Sequence, residues 1–384
     1  MTLQTDCIQG IYLTTEQMAQ FHRHCRAHPD SEPARTLTAK GDDALARGPF
    51  SVVDKGLTPP SGDKHDFLRR PTYAWPNPDT PDGLPYITRD GEPGPGIHGP
   101  DYDMGRLREF TTAVGNLAWA ALATGKDAYA EHAVGLLRAW FLDPATRMNP
   151  NLTYAKHTPG DEPPYPTGVI ATHNWVTLVQ AITILAGTPA WSPPLQQGLY
   201  AWFRDYLQWL QTSPQGRAER AFDNNRGTWY EAQLAAFSCF VGDDDRARHV
   251  LREHCPPRLD RQIAADGSLP HELRRTNSLG YTLMTLKAWV MLALMGDQLG
   301  VDLWRRTTAD GRGLRLALDF TSPYISQPDT WPHQQIKPPP VDRAILPWFA
   351  AARAYNDDTL YQALAALDPK ALQRERATLL FPRA

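Results

Sequence analysis

Four short clusters hold most of the side chains that could do chemistry. Ser61-Gly62-Asp63-Lys64-His65-Asp66, with Tyr73-Ala74-Trp75-Pro76 after it, puts a cation, an imidazole, carboxylates and aromatic faces in one polar stretch. Asp223-Asn224-Asn225-Arg226-Gly227-Thr228-Trp229-Tyr230 places two amides and a guanidinium where a helix begins. A helix N-terminus favours anions, and Asn and Arg donate hydrogen bonds to a carboxylate; Asp223 or Asn224 can equally serve as an N-cap. His271-Glu272-Leu273-Arg274-Arg275 leads through Thr276-Asn277-Ser278 to Tyr281, one turn inside the next helix. An Arg beside a Tyr lowers the cost of forming a phenolate, whereas a surface Arg pair and a core Tyr would be the plain structural alternative. Thr172-His173-Asn174-Trp175 opens another helix after a long loop. Acid–base chemistry on an anionic substrate is what these residue types fit together.

Helical elements must position these clusters. Leu107, Phe110, Val114, Leu117, Ala118 and Ala121 share one face of 104–124, and Gly125 follows as a C-cap. The next helix, about 127–141, carries Tyr129, Ala133, Leu136, Leu137 and Trp140. Further helices are expected over 172–186, 228–241, 243–254, 278–299, 341–355 and 358–367, several closed by glycine. Helix, short Gly/Asp turn and helix, repeated along the chain without strand alternation, predicts an all-α fold of stacked αα-hairpins. The expectation is a single domain over 1–384, an α/α toroid or incomplete α/α barrel. Residues 56–103 and 143–170 break the helical pattern. Loops this long are usually functional or disordered. Their content of Lys64, His65, Tyr73, Trp75, Tyr86, Asn149, Asn151, Tyr154 and His157 is unlike disordered composition, so they are expected to be ordered over an active-site cleft.

Composition narrows the function classes. The chain has 384 residues, 42% hydrophobic and 21% charged, with a net charge of −3. No long basic run argues for nucleic acid or anionic membranes as partners, and no apolar run is read as long enough to span a bilayer. Twelve Trp and fourteen Tyr offer faces that stack on sugars as well as pack in cores. Cys7, Cys25, Cys239 and Cys255 form no CxxC pair, so no metal site is expected; free thiols and disulfides both remain open. The hydrolase, P-loop, zincin and dinucleotide-binding signatures are missing. Paired carboxylates for glycoside hydrolysis would have to come from Asp63, Asp66, Asp161 or Glu272.

At the same clusters the sequence resembles the alginate-lyase superfamily of polysaccharide lyases. SGDKHDF with TYAWPNPDTPDGLPYITRDG resembles that family's SGDKHDY…YWWPDP, and FLDPATRMNPNLTYA resembles LRTWFLDPATRMNPNL. NNRGTWYEAQ is similar to NNHGTWYDxQ, DGSLPHELRRTNSLGY to DGSQPxELxRTxSxxY, and GVDLW at 300–304 to VGVDLW. The matches run in order from about residue 55 to 305. The resemblance implies an α/α toroid that cleaves a β-1,4-linked D-uronate polymer, polymannuronate or glucuronan, by syn β-elimination and without a cofactor. By motif position Tyr281 is base and acid, Arg275 and Asn225 hold the substrate carboxylate, and His173 assists. Lys64, His65, Tyr73, Trp75, Asn224, Trp229 and Arg274 are the implied substrate contacts. The chain departs from the family where His usually follows the paired Asn. Here stands Arg226, which stays protonated and so clamps a carboxylate but makes a poor base. The implied partner is an acidic polysaccharide. Family habit implies a periplasmic or secreted protein, although MTLQTDCIQGIYL lacks the basic start and apolar stretch of a signal peptide. A glycoside hydrolase on the same fold and a non-catalytic uronate-binding protein are the alternatives.

Overall fold

The computed structural model describes residues 3–162, 165–365, 367–369, 372 and 375–382. Helices dominate it. In chain order the α-helices used below are α1 (Thr15–Ala27), α2 (Glu32–Leu45), α3 (Met104–Thr124), α4 (Asp127–Leu137), α5 (Trp175–Leu185), α6 (Pro193–Thr212), α7 (Pro214–Arg220), α8 (Asn225–Phe240), α9 (Asp244–His249), α10 (Cys255–Gln262), α11 (Pro270–Leu273) and α12 (Ser278–Leu299). After them come α13 (Leu314–Thr321), α14 (Pro323–Ser326), α15 (Ile345–Tyr355) and α16 (Asp358–Gln362). Among the described residues the only sheet is a two-residue antiparallel pair, β1 (Ala74–Trp75) and β2 (Ile87–Thr88). The chain divides into two compact units. The first holds Met1–Ile8 and Leu37–Ala221, the second Gln9–Thr36 and Phe222–Ala384.

The first unit is built on α3 to α7. Gly125 closes α3 in the left-handed conformation (φ 70°) and its N–H caps the Ala121 carbonyl, as the sequence pattern predicts. The apolar face of α3 is buried throughout, including Leu107, Phe110, Val114 and Leu117. Aromatic rings knit α3 to its neighbours. Phe110 stacks on Trp140 with centroids 4.6 Å apart, and Phe141 meets Trp202 edge-on at 4.7 Å. Such pairs contribute about 0.5–1.5 kcal/mol each beyond the area they bury. After α4 the chain widens into a π-helical turn, Arg138–Leu142, that carries Trp140 and Phe141 into this core.

The two long loops belong to this unit and are ordered against each other. Leu68 and Tyr154 form a parallel bridge, and the Arg69 N–H donates to the Tyr154 carbonyl at 3.1 Å. The Trp202 indole donates to the Met148 carbonyl at 2.7 Å, which anchors the second loop on α6.

In the second unit α8 and α12 form the centre. α12 is apolar nearly all round, and sixteen of its residues, from Ser278 to Gly296, are buried; a helix with that pattern belongs inside a core. It corrects the expectation that no apolar run could span a bilayer. Ser278–Leu299 is long and apolar enough by composition, with mean hydropathy 1.3, but 83% of that window is buried inside the fold. Gly300 closes it with φ 71°. A second π-helical turn, Val250–His254, joins α9 to α10. Gln17 of α1 donates to the Leu380 carbonyl at 2.9 Å and Gln298 of α12 to the Ile11 carbonyl at 2.7 Å, so the 9–36 segment is fastened to the C-terminal elements. All four cysteines are unpaired; Cys25 and Cys255 are buried and Cys7 is exposed.

Candidate functional site

In the second unit the polar cluster sits where three helices begin or end. Asn224 caps α8, its side chain accepting the Arg226 N–H at 3.1 Å. Gln262, the last residue of α10, holds this end in place. Its amide donates to the Asn224 carbonyl (3.1 Å) and to Thr228 Oγ1 (2.8 Å), while its Oε1 accepts the Trp289 indole N–H of α12 (2.8 Å). Gly227 leaves room for a buried cation. A methyl group there would come within 2.1 Å of the Arg258 guanidinium and 2.0 Å of the Phe222 carbonyl oxygen. Arg258 donates to that carbonyl at 2.6 Å and pairs with the buried Glu231 at 3.1 Å.

The next residue along the motif, Asn225, is 2% exposed. Its backbone N–H donates to Glu272 Oε1, and its side-chain amide lies 3.2 and 3.0 Å from the two Glu272 oxygens. Glu272 is 1% exposed and also accepts the Thr285 hydroxyl of α12 at 2.8 Å. Burial pushes its carboxyl above the usual range, while the Thr285 and Asn225 hydrogen bonds and the charge of Arg275 pull it back. Arg275 follows α11, and its guanidinium carbon lies 3.7 Å from the centroid of the Tyr281 ring. Tyr281 is half-buried on the first turn of α12, its N–H bonded to the Asn277 carbonyl at 3.1 Å. The segment 331–337 braces this turn. Ser278 donates from Oγ to the Gln334 carbonyl (2.6 Å) and accepts the Trp331 indole N–H (2.7 Å), and the Leu279 N–H reaches Gln335 Oε1 (3.0 Å). A phenol, a guanidinium against its face and a fixed amide therefore share one frame. That arrangement can stabilise negative charge and pass a proton.

In the first unit the candidate residues of the long loops bind one another. Asp66 accepts from Ser61 Oγ (2.7 Å), Asn149 Nδ2 (2.8 Å) and Asn151 Nδ2 (3.1 Å). Asp63 accepts the His65 backbone N–H (2.8 Å) and Asn149 Nδ2 (2.9 Å), and the first of these bonds holds its carboxyl below the usual range. His65 Nδ1 donates to the Arg147 carbonyl at 2.5 Å. The Lys64 ammonium donates to the Lys55 and Gly56 carbonyls. Beneath them Lys55 and Asp103 form a fully buried ion pair at 3.0 Å. Burial raises the Asp103 carboxyl to about 6 against the pull of Lys55. Tyr73 and Trp75 are half-buried. The Trp75 indole donates to the Glu92 carbonyl (2.9 Å), and the Arg89 guanidinium lies 4.7 Å from the centre of its ring. His173 lies at the end of the 3-10 turn Val169–Thr172, with Nδ1 bonded to the Ile170 carbonyl at 2.8 Å. That bond leaves the ring lone pair on Nε2 in the neutral form. Glu219 of α7 fixes the same turn by accepting the Gly168 and Ile170 N–H groups, both at 3.1 Å.

The family model for alginate lyase matches residues 51–331. The crystal structure of an alginate lyase from Bacteroides ovatus is similar at 33% identity and a TM-score of 0.91, over 98% of this chain and 100% of that one. The chain belongs to the alginate lyase family. It is a polysaccharide lyase, and its fold class is the all-α, α/α-toroid class of the family. Alginate lyase A1-III from Sphingomonas species A1 extends the likeness in fold, at 18% identity and a TM-score of 0.57 over 92% of this chain and 96% of that one. A histidine-to-alanine variant of A1-III complexed with a tetrasaccharide gives 17% identity and a TM-score of 0.56, over 92% and 95%. No curated protein sequence matches the chain.

The residues named from the sequence of this lyase fall into two groups by unit. Asn224, Asn225, Arg226, Arg274, Arg275 and Tyr281 lie in the second, with Arg226 half-buried over the Phe222 ring (4.6 Å) and Arg274 exposed. Lys64, His65, Tyr73, Trp75 and His173 lie in the first. Trp229 requires a correction. At 1% exposure it is a core side chain of α8, on the same inward face as the buried Asn225 one turn before it, so it offers no face to a sugar. Glu272, part of the His271–Arg275 cluster and one of the acids a hydrolase would need, receives four hydrogen bonds from Asn225 and Thr285. Glu219 was missed, and nothing in its local sequence signals a partner 49 to 51 residues away.

Proposed function

We propose that this lyase cleaves a β-1,4-linked D-uronate polymer, polymannuronate or glucuronan, by syn β-elimination with Tyr281 as both base and acid. The observation that carries the reading is the Arg275 guanidinium 3.7 Å from the Tyr281 ring centroid. A cation at that distance stabilises negative charge as it develops on the phenol or on a bound carboxylate. In such a substrate the C5 hydrogen and the O4 substituent lie on the same side, so one group can serve both. Phenolate oxygen of Tyr281 takes the C5 proton, the electron pair forms the C4–C5 double bond, and the C4–O4 bond breaks. The proton held by Tyr281 then passes to O4. Asn225 and Arg275 hold the C5 carboxylate as charge moves onto it, and Arg226 adds a second cationic contact where the family has histidine. Lys64, His65, Tyr73 and Trp75 are assigned to the sugar units and His173 to proton transfer.

The test is ultraviolet absorbance of the unsaturated uronate during incubation with polymannuronate, polyguluronate, glucuronan and a neutral glucan. A rising signal on polymannuronate or glucuronan supports the reading. Turnover confined to polyguluronate, in which the C5 configuration is inverted, would overturn the syn assignment.

A further inference from the structure

We propose that Glu272 is a positioning residue, whose buried carboxylate fixes the orientation of the Asn225 amide and ties it to the helix that carries Tyr281. The inference rests on the lyase reading of Asn225 and deepens it. A side-chain amide has two ends of opposite polarity and nearly equal shape, so sterics alone do not choose between them. Presented oxygen-first to a uronate carboxylate, Asn225 would repel the group it has to hold. An ionised carboxylate accepts hydrogen bonds and cannot donate one. With both Glu272 oxygens within 3.2 Å of Asn225 Nδ2, the flipped amide would set oxygen against oxygen. Nδ2 carries two N–H groups, and in this proposal the one not given to Glu272 is the one that meets the substrate carboxylate.

The same carboxylate reaches both neighbouring helices. It receives the Asn225 backbone N–H at the start of α8 and the Thr285 hydroxyl one turn beyond Tyr281 on α12, and Thr285 Oγ1 also lies 3.1 Å from the Tyr281 carbonyl. A shift of either helix therefore strains bonds to one buried group. Among the described groups that act on it, Arg275 carries charge, whereas Asn225 and Thr285 are neutral. Burial raises the carboxyl, so it takes up a proton above the ordinary glutamate range as pH falls. Once protonated, it no longer selects the amide orientation.

The experiment is a double-mutant cycle on the full chain, with kcat and KM measured on the polymer that the wild-type enzyme cleaves. Glu272→Gln keeps the size of the side chain but can donate as well as accept, so it tolerates either amide orientation. We expect its kcat to fall about 10- to 100-fold, as for other small misplacements of a reacting group, with KM changing much less. In the Asn225→Ala background the same substitution should cost no further activity. The acid limb of the wild-type rate profile should also be missing from Glu272→Gln. Thr285→Val is run through the same cycle, so that poor folding of Glu272→Gln leaves the test intact; its smaller loss must likewise vanish without Asn225. Losses that add in the double variants, or a Glu272→Gln enzyme with wild-type kcat and an unmoved acid limb, would overturn the inference. An inactive wild type across the polymer panel would instead strike the lyase reading itself, and the two failures are told apart by that first measurement.

Discussion

The polar clusters of the two units look alike in sequence and differ in what their side chains do. In the loops of the first unit the charged groups are consumed by the fold. Asp66 and Asp63 accept the amides of the second loop, Lys64 is spent on two carbonyls, and Lys55 and Asp103 neutralise each other in the interior. In the second unit Arg275 lies against an aromatic ring at the start of a long helix, and the polar contacts behind it hold the backbone. A loop without a helical ladder must satisfy its own backbone and hold its shape with side-chain bonds. A helix terminus is already rigid, and its first turn can present side chains outward. Clusters of equal chemical richness thus split into scaffold and machinery according to the backbone that carries them.

Substitutions test that division. Tyr281→Phe removes only a hydroxyl and should lower turnover at least about 10³-fold while the melting temperature stays within a few degrees of wild type; a variant with normal turnover would end the proposed mechanism. Arg275→Ala should cost about 10²-fold in kcat/KM, with Arg275→Lys recovering only part of it because a point charge cannot lie flat on the ring. His173→Ala probes the comparison from the other side. If it loses as much as Tyr281→Phe, proton transfer is not confined to the second unit; a loss of tenfold or less keeps the division. Asp66→Ala should act on stability, since it removes the acceptor of Asn151 Nδ2 and of Ser61 Oγ and one of the two acceptors of Asn149 Nδ2, at a cost of about 1–3 kcal/mol in chemical denaturation. Lys64→Met, at the small end, should shift stability by about 1 kcal/mol or less and, if Lys64 contacts a sugar unit as proposed, act on KM rather than on kcat.

Much of this was readable in advance where local signals agree. Helices 104–124 and 278–299 have the limits expected from apolar period and closing glycine, because a left-handed C-cap is a local requirement. Helix α8 begins at Asn225 rather than 228, since Asn224 caps it, and 3-10 geometry delays α5 to Trp175. Helices α1, α2, α6 and α13 were not foreseen. For α6 the signal was present in Ser192 before Pro193-Pro194, a capping residue followed by proline in the first turn. The grouping of Asn225, Arg226, Arg275 and Tyr281 was legible as motif. The link from Asn225 to Glu272 spans 47 residues and to Thr285 a further 13, and depends on tertiary packing that no local pattern encodes.

The wide turn Val250–His254 has a consequence for how this scaffold tolerates length change. It sits upstream of Arg258 and Gln262, the two α10 residues that grip the start of α8. Each residue added to or taken from a helix turns everything after it by about 100°, and a π turn is the trace of one residue more than an α turn would need. Deleting a single residue between 250 and 254 would let the helix wind regularly and absorb the change within that turn, so that Arg258 and Gln262 keep close to their facing. The same deletion in the regular helix between 255 and 257 would swing the guanidinium off Glu231 and the amide off Thr228, like a gear set one tooth out of phase.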